Sequence, residues 1–306
     1  MPITDIPSAL VETIVRTWGA DGARWLAELP TVVAGIATDW GIDVGEPFAL
    51  LSYHWVAPVT RADGTPAVIK IGLPGPGHLN DEAAALAAYD GRGAVRLLAY
   101  DAARGALLLE RAQPGTPSRE LVPRADEAAT GAAIEVMRRL HREPPPGGPE
   151  LVDQGAAFAQ YLRDFPGDGP LPRDVVTRAG GLFAELCASA DRRVLLHGDL
   201  HHDNLLRAER EPWLAIDPDG VVGDPGYDLG ALLYNPDPPR RDDALLALVP
   251  GRVGQLADGL GVPLDRAIAW GFVKAVLSEV WSTEEESYPG PGRPLDVALL
   301  LEPRLS

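Results

Sequence analysis

The sequence predicts an α+β fold with two lobes, an N-terminal lobe built on an antiparallel sheet and a larger, mainly helical C-terminal lobe. Residues 48–72 contain two runs rich in β-branched and aromatic residues that are joined by an Asp-Gly turn, which predicts a hairpin. After residue 117, apolar residues recur mainly at helical spacing. A chain of 306 residues, 46% of them apolar, is long enough for two lobes.

The N-terminal lobe, residues 1–111, begins with two or three short helices, because its apolar periodicity is interrupted at Gly19, Gly22 and Pro30. After the hairpin comes an alanine-rich helix and then two further strands. A cluster of proline and glycine at residues 112–117 marks the boundary, so the second lobe is residues 112–306. Near its end, residues 264–288 predict one long helix that leads into an acidic run.

Composition narrows the possible partners. The net charge of −17 opposes binding to nucleic acid and would attract a cationic small molecule, although an acidic excess often serves only to keep a protein in solution. The first residues lack a signal-peptide pattern, and no stretch of 18 apolar residues occurs, so we expect a cytoplasmic protein with no membrane contact, acting as a monomer. Cys187 is the only cysteine, which excludes an intramolecular disulfide and a thiolate metal cluster, and we expect a buried thiol.

The segment HGDLHHDN, residues 197–204, lies between two strand-like runs, and Asp217 follows the next strand. Phosphoryl transfer needs a carboxylate to orient the accepting hydroxyl and oxygen ligands to hold Mg²⁺ against the nucleotide phosphates. Asp199 and Asn204 are five residues apart, as in the kinase pattern H-R-D-L-x-x-x-N, and Asp217 follows where that pattern has D-F-G. Each residue alone is typical of a turn, but their combination predicts a phosphoryl-transfer site.

The segments LLHGDLHHDNLL and AEREPWLAIDPDGVVGDPGYDLGALL resemble the aminoglycoside phosphotransferases, and more narrowly the streptomycin 6-kinase and hydroxyurea phosphotransferase group. A fainter similarity extends to VAPVTRADGTPAVIKIG and LLLERAQPG. The resemblance implies a bilobal protein-kinase-like fold and a kinase that uses ATP or GTP with Mg²⁺. It does not extend to the arginine of H-R-D or to an activation segment, so protein-kinase activity is not expected.

By this resemblance, Asp199 is the catalytic base, and Asn204 and Asp217 are the Mg²⁺ ligands. Lys70 contacts the α- and β-phosphates, and Glu82 orients Lys70, with Asp81 as the alternative partner. The glycine-rich loop of protein kinases is absent, so backbone amides and Ser52 would cover the phosphates. The backbone from Glu110 to Ala112 corresponds to the hinge that binds adenine.

Other polar residues near the motif have supporting roles in this interpretation. We expect His197 to hold the 197–204 segment by hydrogen bonds, and Asp228 to accept hydrogen bonds from the backbone of that segment, as the resemblance suggests. His201 either contacts the γ-phosphate or packs against its surroundings. His141, at the end of a predicted helix, needs only a surface or capping role.

Two other function classes remain open from the residues alone. His197, Asp199, His201, His202 and Asp203 are possible ligands of a metal-dependent hydrolase. Adjacent histidines cannot easily face one metal, which disfavours this alternative. A catalytically silent nucleotide-binding module is the other, and the complete set of kinase-like residues argues against it.

The leading substrate hypothesis is streptomycin, phosphorylated at the 6-hydroxyl of its streptidine ring. Two guanidinium groups suit carboxylates in an acidic lobe, where bidentate pairing is available. The alternatives are hydroxyurea, an amino sugar or another small hydroxylated metabolite. The carboxylates proposed to bind the substrate are Glu279, Glu284, Glu285 and Glu286.

Overall fold

The computed structural model describes residues 6–49, 51–75, 78–238, 240–284 and 288–305. The chain forms two compact units. The first consists of Met1–Gly91 and Val95–Gln113, and the second of Arg92–Ala94 and Pro114–Ser306. Residues 92–94 group with the second unit, where the amide of Ala215 donates a 2.8 Å hydrogen bond to the carbonyl of Gly93.

The first unit is a five-stranded antiparallel sheet with one long helix and one shorter helix. The strand order is β1-β2-β3-β5-β4, and the predicted hairpin is β2 paired with β3. Alternate residues of β2 are buried at its start, as expected for a strand that packs one face against a core, whereas the last three residues of β3 are all buried. The elements are α1 (Ser8–Trp40), β1 (Ile42–Val44), β2 (Trp55–Arg61), β3 (Pro66–Ile71), α2 (His78–Tyr89), β4 (Leu97–Asp101) and β5 (Ala106–Glu110).

Helix α1 differs from the predicted series of short helices. Only Gly19 leaves helical geometry, with φ 55°, so two helical segments meet at a kink there. Gly22 lies inside the helix, where a Cβ would stand 2.5 Å from the carbonyl oxygen of Ile14. Pro30 is also inside the helix. The sequence signal at Gly22 therefore reflects close packing and not a chain break.

The second unit contains two small sheets and most of the helices. Strands β6, β8 and β9 form one antiparallel sheet, and β7 pairs with β10 in the other. The strands are β6 (Pro114–Pro117), β7 (Val194–Leu195), β8 (Leu205–Ala208), β9 (Trp213–Ala215) and β10 (Val222–Gly223). The helices are α3 (Asp126–Leu140), α4 (Ala156–Asp164), α5 (Arg173–Ala188), α6 (Ala231–Tyr234), α7 (Asp243–Leu246), α8 (Val249–Leu260), α9 (Leu264–Ser282) and α10 (Arg293–Leu301).

The second unit differs from the sequence prediction at the breaker cluster and at the end of the last predicted helix. The predicted breaker cluster contains β6, which is an edge strand paired with β8, a position where proline is tolerated because one side of the strand needs no donor. The predicted helix over residues 264–288 ends at Ser282, and a further helix, α10, follows.

Helix α9 is the centre of the second unit. Its residues from 267 to 280 are buried almost without interruption, and it packs against α5, α8 and α10. A helix that is apolar on all sides is typical of the middle of a helical domain. None of the helices in the described ranges is both long and apolar enough to cross a membrane.

Candidate active site

In the first unit, Lys70 and Glu82 form a buried ion pair. Lys70 is on the central strand β3, and Glu82 is on α2. Lys70 Nζ lies 2.6 Å from Glu82 Oε2, and the two residues are 5% and 3% exposed. Burying two charges is favourable only when they meet in good geometry. The structure thus brings Lys70 together with Glu82, the partner expected ahead of the alternative Asp81.

The other predicted nucleotide contacts in the first unit are in less regular backbone. Ser52 is exposed in the connection between β1 and β2. Glu110 is the last residue of β5, and its Oε2 accepts the amide of Arg96 at 3.0 Å. Ala112 follows β5 and is 9% exposed.

In the second unit, residues 197–204 form a loop between β7 and β8, here called the 197–204 loop. His197, Leu200 and His202 are fully buried, whereas the Asp199 side chain is 42% exposed. The Nδ2 group of Asn204 donates to the carbonyl of Asp199 at 3.0 Å, which closes the loop. The loop therefore presents the Asp199 carboxylate to solvent beside three fully buried side chains.

Asp228 holds the beginning of the 197–204 loop by accepting hydrogen bonds from its backbone. Its two carboxylate oxygens accept the amides of His197, at 3.0 Å, and Gly198, at 2.8 Å. His141 Nε2 lies 2.9 Å from Asp228 Oδ2. Burial by itself raises the pKa of Asp228, but the His141 contact and the Gly198 amide overcome this effect and hold the pKa below its ordinary value. Asp228 is therefore a buried, ionised anchor for the loop.

His141 was expected to need only a surface or capping role, and this expectation was wrong. Its side chain is 4% exposed and contacts Asp228, 87 residues further along the chain. The sequence position at the end of α3 does not reveal this contact, because the partner belongs to a remote segment.

His197 uses both ring nitrogens within the loop region. Nε2 lies 2.8 Å from the carbonyl of Ile216, and Nδ1 accepts the amide of Asp199 at 3.3 Å. This pattern requires a neutral ring protonated at Nε2. Burial lowers the pKa of His197, which agrees with a neutral ring. Because both nitrogens are engaged, His197 is not free to bind a metal, which weakens the hydrolase alternative.

Asp217 is placed beside the 197–204 loop by backbone pairing. The amide of Ile216 donates to the carbonyl of Asn204 at 3.0 Å, and the amide of Asp219 donates to the carbonyl of His197 at 2.7 Å. Asp217, between these two bonds, is exposed and has φ 60°, an uncommon conformation for a residue with a side chain. Strained residues cluster at functional sites, and this geometry agrees with a ligand-binding carboxylate.

Asp219 was not predicted as a site residue. Gly198 has φ 89°, and a Cβ at Gly198 would lie 2.7 Å from both Cβ and Oδ2 of Asp219. Glycine is thus required at position 198 both by the backbone conformation and by the close approach of Asp219. The Asp-Pro-Asp-Gly sequence contains a second carboxylate two residues after Asp217, which is the signal that could have identified Asp219.

The oxygen donors around the loop suit Mg²⁺ better than zinc. With Nδ2 of Asn204 bound to the Asp199 carbonyl, Oδ1 is the atom left for a cation, and Asp217 supplies an exposed carboxylate. Protein sites for Mg²⁺ commonly provide one or two oxygen ligands and leave the others to phosphates and water. The described residues contain no group of three or more His, Cys, Asp or Glu side chains able to hold a metal without such partners.

The proposed substrate carboxylates are placed differently from one another. Glu279 is 2% exposed, and its oxygens accept the Tyr288 hydroxyl and the Gly292 amide, each at 2.8 Å. Burial raises the pKa of Glu279. Glu279 therefore holds the segment before α10, while Glu284 is exposed after α9. Glu285 and Glu286 lie outside the described residues.

Comparisons with known proteins show which family the chain is similar to. Residues 43–286 match the family model described as aminoglycoside/hydroxyurea antibiotic resistance kinase. A hydroxyurea phosphotransferase from Kitasatospora aureofaciens is 36% identical, covering 98% of this chain and 86% of that protein. A streptomycin 6-kinase from Streptomyces glaucescens is 33% identical, covering 93% of each chain.

The solved structures support the same fold. An aminoglycoside phosphotransferase APH(4)-Ia, crystallised as a ternary complex with ADP and hygromycin B, superposes with a TM-score of 0.57 at 14% identity, covering 89% of this chain and 95% of that one. The fold is protein-kinase-like, as the sequence predicted. The family match spans most of the chain, and both relatives named above exceed 30% identity over nearly its whole length. The chain belongs to the aminoglycoside/hydroxyurea antibiotic resistance kinase family.

Proposed function

We propose that this protein transfers the γ-phosphoryl group of ATP to a hydroxyl of an aminoglycoside, namely the 6-hydroxyl of streptomycin. The observation that carries this proposal is the 197–204 loop, in which Asp228 and Asn204 fix the backbone on both sides of an exposed Asp199 carboxylate. Catalysis of phosphoryl transfer is mainly positioning, so a fixed carboxylate is the main requirement on the acceptor side.

In the proposed reaction, the Asp199 carboxylate accepts a hydrogen bond from the substrate hydroxyl and then its proton. The hydroxyl oxygen forms a bond to the γ-phosphorus as the bond to the β,γ-bridging oxygen breaks, which releases ADP. Asn204 Oδ1 and Asp217 would hold Mg²⁺, which supplies charge neutralisation at the phosphates. Lys70, oriented by Glu82, would contact the α- and β-phosphates, and the backbone at Glu110 to Ala112 would receive the adenine.

The choice of streptomycin is supported by two lines of argument. One relative that covers nearly the whole chain is a streptomycin 6-kinase. The chain carries a net charge of −17, which favours a dicationic substrate by long-range attraction. Glu284, exposed after α9, and Glu285 remain the proposed carboxylates for the guanidinium groups.

Hydroxyurea is the second candidate substrate. The relative named hydroxyurea phosphotransferase has the higher identity of the two, 36% against 33%, and covers more of this chain. Hydroxyurea is small and uncharged, so its phosphorylation would not depend on the acidic residues after α9. The two candidates therefore make different predictions for substitutions at Glu284.

The test is an ADP-release assay with Mg-ATP over streptomycin, other aminoglycosides, hydroxyurea and amino sugars, with the product identified by mass spectrometry. Asp199→Asn should lower kcat by about 10³-fold, because a general base typically contributes this much. Asp203→Asn is the matched control, since Asp203 is in the same loop and pairs with Arg119 at 3.0 Å. Equal turnover by the Asp199→Asn variant and wild type would contradict the mechanism, and turnover of hydroxyurea alone would replace the proposed substrate.

A further inference from the structure

The use of lysine in this chain is unusual. Of 27 lysine and arginine residues, only two are lysines, Lys70 and Lys274. Both are buried, with exposures of 5% and 1%. Lysine is almost never buried unless it is paired. The lysine ammonium is a compact charge with three rotatable donors. Lys70 has a role in the proposed function, whereas Lys274 was not predicted to have any.

Lys274 lies on the buried helix α9 and reaches the 197–204 loop. Its Nζ donates to the carbonyl of Gly198 at 2.9 Å and to the Tyr227 hydroxyl at 2.7 Å. The Tyr227 hydroxyl in turn donates to Gln154 Oε1 at 2.5 Å. The ring of Trp281 lies 4.9 Å from Nζ. Each polar contact of the ammonium is therefore fixed by a partner that is itself held in place.

The peptide group between Gly198 and Asp199 is consequently fixed at both of its polar atoms. Lys274 binds its carbonyl oxygen, and the His197 ring accepts its N–H at 3.3 Å. The preceding amide, that of Gly198, is bound by Asp228 at 2.8 Å. Lys274 thus holds the carbonyl of Gly198, and Asp228 holds its amide. Gly198 is the residue that directly precedes Asp199.

The positive charge of Lys274 is affected by its burial and by three carboxylates. The polar contacts of its Nζ are the Gly198 carbonyl and the Tyr227 hydroxyl. Burial lowers the pKa of Lys274, while the more distant carboxylates of Asp199, Asp219 and Asp228 act in the opposite direction. An isolated buried ammonium would be costly, so these three carboxylates stabilise it. In return, its positive charge reduces the repulsion among them.

We propose that Lys274 is a positioning residue for phosphoryl transfer, which orients Asp199 by holding the Gly198 carbonyl. This inference rests on the proposed role of Asp199 as the base that receives the substrate proton. Lys274 touches neither substrate nor nucleotide in this proposal. Its removal should therefore lower kcat and leave nucleotide binding unchanged, whereas a role confined to folding would change thermal stability without a selective effect on kcat.

Gly230 offers a second way to disturb the same contact. A Cβ at Gly230 would lie 2.4 Å from Cβ and 2.7 Å from Cγ of Lys274, so Gly230→Ala would displace the lysine stem without removing its charge. Gly254 is the matched control for this substitution, because a Cβ there would meet no described atom within 4 Å. Leu277→Met is the control for α9, since Leu277 is fully buried and the change conserves volume.

The experiment compares Lys274→Met and Gly230→Ala with Leu277→Met and Gly254→Ala. We expect Lys274→Met to lower kcat by about 100-fold, because small displacements of a reacting group have effects of this size. The dissociation constant for ATP, measured by calorimetry, should stay within about threefold of wild type. A kcat for Lys274→Met equal to that of Leu277→Met would overturn the inference. If Lys274→Met fails to fold, the kcat of Gly230→Ala is compared with that of Gly254→Ala, and equal values would overturn the inference.

Hydrogen–deuterium exchange gives a readout that does not depend on the substrate. In Lys274→Met, the peptide that covers residues 195–205 should exchange at least about tenfold faster than in Leu277→Met, because the loop loses one of its anchors. Unchanged exchange would overturn the inference whatever the substrate is. Faster exchange in a protein that phosphorylates none of the tested compounds would support the anchoring of the 197–204 loop by Lys274 and contradict the proposed function.

Discussion

Asp228 and His141 meet at 2.9 Å beneath the 197–204 loop, although 87 residues separate them in the chain. The same carboxylate receives the amides of His197 and Gly198. One buried contact thus links helix α3 to the segment that carries Asp199. Its loss should therefore affect both stability and turnover.

Asp228→Asn should destabilise the protein and lower kcat. An amide cannot accept all three donors, and the replacement removes a buried charge from its partners. We expect the free energy of unfolding to fall by about 3 kcal/mol, as when one member of a buried pair is removed. Urea unfolding measures the change, and Asp258→Asn, on α8 and away from the loop, is the control. Equal effects of the two substitutions would contradict the anchoring role.

The contribution of Asp228 should depend on pH in a defined direction. Its pKa in the folded protein is below the ordinary value of 3.8, so the unfolded chain binds the proton more readily. The stabilisation is complete above the unfolded pKa and is lost as the pH falls through the lower folded value. The difference in unfolding free energy between wild type and Asp228→Asn should therefore narrow between ~pH 5 and ~pH 2. A constant difference over this range would show that folding leaves the Asp228 pKa unchanged, and a difference that widens as the pH falls would show that the folded carboxyl is protonated.

Substitutions at Lys70 and Glu82 should separate folding from nucleotide binding. Lys70→Met leaves the Glu82 carboxylate buried without its ammonium and should lower the unfolding free energy by about 3 kcal/mol. The double variant Lys70→Met with Glu82→Gln should recover much of that stability, because no buried charge remains. ATP affinity should stay low in both variants. Recovery of ATP affinity in the double variant would contradict the proposed phosphate contact.

Gly198→Ala should cost more than an ordinary glycine replacement. Its φ of 89° is strained for alanine, and the new Cβ would lie 2.7 Å from Asp219. Gly64 has a similar φ of 81°, and a Cβ there would meet no described atom within 4 Å, so Gly64→Ala isolates the backbone cost of about 1 kcal/mol. We expect a larger loss of stability for Gly198→Ala, with a large loss of kcat for this variant alone. Unfolding and turnover measurements on both proteins test the difference.

Cys187 should react slowly with thiol reagents in the folded protein. It is half-buried, not fully buried as the sequence suggested, and burial raises its pKa to about 11, with Asp224 acting in the same direction. Only the thiolate is nucleophilic, so alkylation by iodoacetamide at ~pH 8 should be at least about tenfold slower than in the urea-unfolded chain. As Cys187 is the only cysteine, one mass measurement follows the reaction. Equal rates in the two states would contradict the raised pKa.

Much of the candidate site could be predicted because its residues have fixed spacings in short segments. Asp199, Asn204 and Asp217 are joined by a hairpin, and Lys70 and Glu82 by a strand, a turn and one helical turn. Local geometry determines where such residues lie relative to one another. The resemblance then assigned a role to each, and the sheet order and hairpin of the first unit agree with the predicted α+β fold.

The residues that were missed act through contacts between distant segments. Lys274 and Gly198 are 76 residues apart, and nothing in the periodicity of α9 indicates what its one lysine contacts. His141 was missed for the same reason. The edge strand β6 was not predicted because it contains two prolines, which are more typical of turns than of strands. Tertiary packing, which spacing along the chain does not encode, determines all three.

The near absence of lysine has a practical consequence for work with this protein. Both ε-amines are enclosed, at 5% and 1% exposure, so reagents that acylate or crosslink amines should find neither of them accessible in the native fold. Unfolding of each unit would expose its own lysine. The rate at which Lys70 is acylated would then report the opening of the first compact unit, and the rate for Lys274 would report the opening of the second.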